Sequence, residues 1–253
     1  MRLAIPALIA AVLVPLGASA ATLIESRNDE GEVSRLWVEG VRARAETDDE
    51  QGYVLMDLGK GTMLLVNHEE KQVVDMSAQL QRAGKDKRPH PATKLVKKGS
   101  GPRIAGYDTQ HYQLMVEGQV CQDLFMSRKA YQDAKLEAYG KAYAQYDLTP
   151  PVTLEPCDYA ELSLDRHMLE AGLPMRVVEE GEVVDEITRI TTDAKLPADG
   201  FTPPAGYARV DMGALMQENM REMEERMRQL QEGMTPEQRR EMERMMKELM
   251  PSE

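Results

Sequence analysis

The chain has few aromatic residues: they make up 5% of its 253 residues, with two Phe and one Trp. Any core must therefore be assembled mostly from Leu, Val, Ile, Met and Tyr. Positive charge is also scarce. The formal net charge is −12, and losing Arg2 makes it −13. That balance excludes nucleic acid as a main partner, because phosphate recognition needs a basic surface. Long apolar runs are missing apart from Leu3–Leu16, so no later segment is a candidate membrane span. That run follows Arg2 and precedes Ala18-Ser19-Ala20. A basic start, an apolar stretch and a small-x-small site predict an export signal over residues 1–20. No Cys stands at the cleavage point, so no lipid anchor is expected. The expected product is a soluble protein of the periplasm, or a secreted one, in a Gram-negative envelope.

Cysteine is limited to Cys121 and Cys157. In an exported chain an even count reads as a disulfide. The rival reading, a redox pair, lacks the CxxC spacing.

Catalytic motifs are missing too. Gly59-Lys60-Gly61 is half of a phosphate-binding loop, but Leu64 follows and no helix does, so it reads as a hairpin turn. His68-Glu69-Glu70 lacks the second His of a zinc motif, since Gln72 stands there. His90, His111 and His167 are isolated in sequence, and such residues usually serve structure. No GxSxG elbow occurs. The expectation is a protein that is not an enzyme and has no cofactor.

What is present begins with a meander. Gly52–Met76 contains three β-rich runs, Tyr53–Leu58, Thr62–Asn67 and Gln72–Met76, separated by short polar or Gly breaks. That is the signature of consecutive antiparallel hairpins. Before it, Thr22–Arg27 predicts a first strand and Val33–Glu46 a long second one, bent at Gly40. After it, Arg82–Arg103 is basic and rich in proline. It reads as a solvated loop around one short strand, Lys94–Lys98, or alternatively as a patch for anionic lipid.

Ile104–Val116 and Val120–Met126 predict two more strands. Ala130–Tyr146 changes to helical period, placing Tyr131, Ala134, Ala138, Tyr139, Ala142, Tyr143 and Tyr146 on one face. Cys157–Ala171 predicts a second helix closed by Gly172. Met175–Thr192 is a hairpin turning at Glu180-Gly181, and Leu196–Tyr207 is a strap pinned by Phe201 and Tyr207.

Several of these residues together resemble a known family. They are Arg103-Ile104-Ala105-Gly106-Tyr107 with Tyr112, Gly172-Leu173-Pro174, and Phe201, Pro204, Gly206 and Tyr207. Over Thr22–Tyr207 the pattern is similar to exported bacterial proteins grouped under the domain of unknown function 4412. The resemblance implies an architecture like that of half-barrel lipoprotein carriers, an open sheet curled around helices. The chain departs from the pattern at Thr109, where many relatives carry Cys. The family's disulfide is therefore not carried over.

The tail is methionine-rich: ten of the 18 methionines lie in Val210–Met250. Met220, Met223, Met227, Leu230 and Met234 step by three and four along one face. Gly233 breaks the helix, Thr235-Pro236-Glu237-Gln238 restarts it, and Met242, Met245, Met246 and Met250 continue the face. Three uses compete. The face docks on the protein's own sheet or on a second copy. Alternatively it offers an adaptable surface, with Met216, Met220, Met223, Met227, Met234, Met242 and Met246 in contact with a ligand, a lipid or an unfolded client. In the third use, Met216, Met220, Met223 and Met227 capture Cu(I).

The fold expected is α+β: a curved, open antiparallel sheet, half-barrel-like, with two internal helices and a C-terminal amphipathic helical hairpin. Residues 1–20 are the signal, 21–209 the sheet domain and 210–253 the tail. The function expected is a periplasmic binding module for an apolar ligand, a lipid or an envelope protein, with the tail as lid or docking arm. The alternatives are a copper-handling protein and a chaperone-like client binder.

Overall fold

The computed structural model describes residues 21–48, 51–85, 90–146 and 154–233. The expected export signal and the second arm of the tail lie outside them.

Twelve strands form one open sheet. The N-terminal half is a continuous meander: β1 (Ala21–Asn28), β2 (Val33–Glu39), β3 (Arg42–Thr47), β4 (Gly52–Asp57), β5 (Thr62–Asn67) and β6 (Gln72–Asp75). The other half holds β7 (Thr93–Ser100), β8 (Gln110–Val116), β9 (Gln119–Ser127), β10 (Leu173–Glu179) and β11 (Glu182–Ala194). The halves join where β1 pairs with β11, antiparallel. β12 (Ala208–Asp211) adds in parallel to β6, so the edges are β12 and β7. The expected curved antiparallel sheet is thus present, extended by one strand that the sequence reading missed.

Three expectations need correction. Val33–Glu46 is not one strand but the hairpin of β2 and β3. Gly40, at φ +61°, takes the left-handed backbone that a tight turn needs and that a side chain opposes. The continuous helix over Ala130–Tyr146 is two short ones, α2 (Arg128–Asp133) and α3 (Glu137–Tyr143). Lys135, at φ +56°, stops the first, and the Leu136 amide turns back to the Tyr131 carbonyl, placing the Leu136 side chain in the core. Ile104–Val116 is not all strand. Ile104 and Tyr107 exchange backbone hydrogen bonds of 2.9 and 2.8 Å around Ala105 and Gly106, both at positive φ, and β8 starts only at Gln110.

The sequence reading also missed α1 (Ser77–Ala83). With α4 (Pro156–Ala171), four internal helices occur among the described residues, where two were expected. One helix of the tail is described, α5 (Met212–Gly233). The basic segment carries a longer strand than expected, β7, as the exposed edge with Lys94, Lys97 and Lys98.

The two faces of the sheet are covered differently. On the concave face, α4 packs across β9, β8 and β7, burying Leu114, Leu124, Met126 and Tyr159. The disulfide Cys121–Cys157, with Cα atoms 5.0 Å apart, ties α4 to β9. A second cluster joins Ile24, Val38 and Ala43 of the meander to Tyr131, Ala134 and Leu136. Each fully buried Leu contributes roughly 2 kcal/mol by removal from water. Gly172, at φ +105°, ends α4. A Cβ there would stand 2.5 Å from the backbone of Ser127 and Arg128, so no other residue lets α4 turn so tightly into β10.

On the convex face, residues 195–207 form the strap between β11 and β12. They cross the meander and lie over Tyr53, Leu55, Val66 and Val73. Arg44, 5% exposed, holds the strap at its centre. Its guanidinium donates to the Asp199 carboxylate at 2.9 Å and to the Gly200 carbonyl at 3.0 Å, and it stacks 3.5 Å above the Tyr53 ring. The Tyr53 hydroxyl donates to the other Asp199 oxygen. Arg42 lies over the Phe201 ring, and the Tyr207 hydroxyl meets His68 Nδ1 at 2.9 Å. Phe201 and Tyr207 therefore have contacts on the meander, as expected of a strap. Arg44 and Asp199, its charged clamp, were not foreseen.

Candidate binding cavity

Strand register decides which side chains share a face. Reading across the sheet, Ile190, Ile24, Leu36, Ala45, Val54, Leu65 and Val74 are direct partners from β11 through β6. This gives an apolar rib seven strands wide on the concave face. A second rib, Ser26, Ser34 and Thr47, runs beside it, toward the turns that join β1 to β2 and β3 to β4.

Above these ribs the helices leave a space. α3 and α4 contribute Tyr139, Tyr143 and Met168, but among the described residues no helix seats on the floor as α4 does on β8 and β9. The result is a cavity of about 720 Å³. Its volume falls in the range that holds one small ligand. Ala45 in the floor explains part of the depth, since a larger residue would fill it. Leu65, 36% exposed, is an apolar side chain left unburied on this floor.

The cavity contains three charged lining residues, Arg35, Glu46 and Asp185. Arg35 has a salt bridge to Asp48 at 2.6 Å, and Glu46 has one to Arg44 at 3.2 Å. Burial pushes the Asp185 carboxyl above the usual carboxylate range, against the opposing pull of the nearby Ser26 hydroxyl.

The residues singled out from sequence fall elsewhere. Cys121 and Cys157 come together as the disulfide. Met216, Met220 and Met223 lie on α5, 54–60% exposed, and none lines the cavity. Met227 belongs to the same helix, while Met234, Met242 and Met246 lie outside the described residues. Among the described residues α5 meets the sheet mainly at β12 and β6. Of the basic segment, Lys85, Lys94, Lys97 and Lys98 are described, and Lys87 and Arg88 are not. Two of the isolated histidines have structural partners: His111 pairs with Asp123 at 2.6 Å and stacks on Phe125, and His90 stacks on Tyr159.

The motifs behind the family resemblance are structural. Arg103 donates twice to the Gly106 carbonyl and secures the turn whose Ile104 plugs the core. Thr109, 2% exposed, donates its hydroxyl to the Pro102 carbonyl at 2.6 Å, a tie that a Cys would not make as well.

An open, curved antiparallel sheet with a helix-roofed apolar cavity is the class that fold and site define. Within it, the chain belongs to the family of the domain of unknown function 4412, whose sequence profile matches residues 34–207. A search of curated proteins found no match. Among solved structures the chain is similar to MucB, at 14% identity and a TM-score of 0.39, covering 76% of this chain and 60% of that one. It is likewise similar to PNGF-II, at 14% identity and a TM-score of 0.40, covering 79% and 32%. The MucA/MucB complex of Pseudomonas aeruginosa gives 13% identity and a TM-score of 0.36, covering 74% and 57%. The chain thus spans between a third and three fifths of the structures it matches.

Proposed function

We propose that this protein is a binding module of the periplasm, without chemistry of its own, that holds an apolar ligand between its concave sheet and α3. The observation that carries this reading is the partly exposed apolar rib of Leu36, Ala45, Val54 and Leu65 beneath a cavity of about 720 Å³. An apolar floor that the helices above do not touch loses contact with water only when something apolar enters. Elsewhere on this face α4 covers β7 to β9, and Tyr131, Ala134 and Leu136 cover Ile24, Val38 and Ala43.

The test fills the gap. Ala45→Phe adds a ring to the cavity floor where space exists, so the fold tolerates it. Binding of the neutral fluorescent probe N-phenyl-1-naphthylamine should fall at least ~10-fold with the melting temperature unchanged. Equal probe binding by both forms would reject the cavity as the binding site.

A second reading concerns α5. Leu215, Met216, Met220 and Met223 are 41–60% exposed on a helix that leaves the sheet edge. Such a face fits an adaptable protein or lipid partner. Oxidising these methionines to sulfoxides should weaken that contact, whereas loss of copper binding alone would favour the metal alternative.

A further inference from the structure

Granted that the cavity is the binding site, its charge pattern narrows the ligand beyond an apolar one. Two of the three charged lining groups are engaged in ion pairs: Arg35 with Asp48, and Glu46 with Arg44. Asp185 has no ion-pair partner among the described residues. On β1 it meets the Ser26 hydroxyl and its register partner Asn28, and on β10 it faces Val177. The neighbouring Glu186 is engaged with Arg176. Asp185 is therefore the charged lining group left without an ion pair among the described residues. It stands beside the hydroxyl rib of Ser26, Ser34 and Thr47, at the end of the floor nearest the strand turns. Apolar floor and acidic end together describe a two-part ligand.

We propose that the cavity selects amphiphiles with one apolar chain and a cationic, hydrogen-bond-donating head, with the chain on the Ile24–Leu65 rib and the head against Asp185. An ammonium supplies three donors, which the Asp185 carboxylate and the serine hydroxyls accept. Burial raises the proton affinity of Asp185, and a bound cation offsets that cost. An anionic head would meet an unpaired carboxylate in a partly dry site, and an uncharged head would leave it uncompensated. The chain's overall charge of −12 acts in the same direction at longer range.

The test is displacement of N-phenyl-1-naphthylamine from the full chain by dodecylammonium, dodecanol and dodecanoate, each below its micelle concentration. Circular dichroism monitors the fold throughout. Dodecylammonium should displace the probe at about 10-fold lower concentration than dodecanoate, with dodecanol between them. Asp185→Asn keeps a polar side chain of the same size beside Ser26, and it should bring the three within about twofold of one another. Dodecanoate or dodecanol displacing the probe as well as dodecylammonium would overturn the proposal, as would a preference that survives Asp185→Asn. These outcomes leave the cavity reading standing. Failure of the probe to bind at all would overturn both.

Discussion

The two halves of the sheet present the same concave surface and treat it in opposite ways. Over β8 and β9, the sixteen residues of α4 lie on Leu114, Leu124 and Met126, with Tyr159 and Ala160 fully buried, and a disulfide fixes the helix in place. Over β2 to β5, the floor of Leu36, Ala45, Val54 and Leu65 has no helix seated on it among the described residues, and the meander is held instead from its convex side by the strap. The difference teaches where stability and binding reside. A half that is packed, bridged and dry supplies the fold. The half secured from behind can leave its front open without losing its register.

The largest expected effect comes from removing the bridge of the packed half. Cys121 and Cys157 close a loop with a sequence separation of 36. Losing that cross-link should cost about 4 kcal/mol in the chain-entropy account. Denaturant titration of oxidised protein against a Cys121→Ser/Cys157→Ser variant measures it. The oxidised chain, unfolded without reductant, should take up no thiol label, and two labelled cysteines would rule the bridge out.

Next comes a matched pair of truncations. Leu124→Ala in the packed half opens a cavity where the side chain is fully buried, and it should cost roughly 3 kcal/mol. Leu65→Ala in the open half removes a side chain that is already 36% exposed, and it should cost less than ~1 kcal/mol while weakening probe binding. Equal destabilisation by the two would erase the contrast between the halves.

Breaking the strap comes third. Arg44→Met keeps the bulk over Tyr53 but leaves Asp199 without its cation, and it should cost about 2 kcal/mol, less than a fully buried pair because Asp199 is 33% exposed. The pH dependence comes from the same contacts. Burial opposes ionisation of Asp199, yet the hydrogen bonds from Tyr53 and Arg44 hold its carboxyl below the ordinary range. That share of stability is present above the unfolded carboxylate value of ~4 and is lost as pH falls through the lowered one. Burial, with Asp199 alongside, raises the Tyr53 hydroxyl. Its share is complete below the unfolded value of ~10 and is lost as pH rises through the raised one. Thermal melts of the wild type should therefore fall off on both sides, and Tyr53→Phe should flatten the alkaline limb.

Much of this fold was legible in the sequence, and the misses have physical causes. The meander was readable because Gly59-Lys60-Gly61 and His68–Lys71 interrupt β-rich runs at hairpin spacing. The disulfide followed from a count of two. The hairpin at Gly40 was missed because one glycine marks a bulge and a turn equally well. The break at Lys135 was missed because Leu136, which enters the core, disturbs a helical stripe by one position only. The cavity was not legible at all. Its floor depends on register across β1–β5, and its emptiness on where α3 and α4 stop, and neither is a local property. Asp185 is one of many acidic residues in the sequence, and only the folded arrangement, which gives Arg35 and Glu46 partners, sets it apart.

The smallest effect on stability is expected from the tail, and it separates the two halves from a third region. Among the described residues α5 lies mainly against β12 and β6, and Leu215, Met216, Met220 and Met223 are more exposed than buried, or nearly so. Few buried apolar contacts means little stability to lose. The strap is secured before the tail begins, by Arg44, Tyr53 and His68, and β12 pairs with β6 through Asp211. A chain ending at Asp211 should therefore unfold within about 0.5 kcal/mol of the full one. Its affinity for the naphthylamine probe should be unchanged as well, because no α5 residue lines the cavity. What it should lose is binding to a partner that uses the methionine face, read as the difference between full and shortened chains in an envelope-membrane pull-down. A drop of several kcal/mol on shortening would make α5 part of the core. A drop in probe affinity alone would make the tail a lid over the open half, and the division between a stable half, a binding half and a docking arm would have to be redrawn.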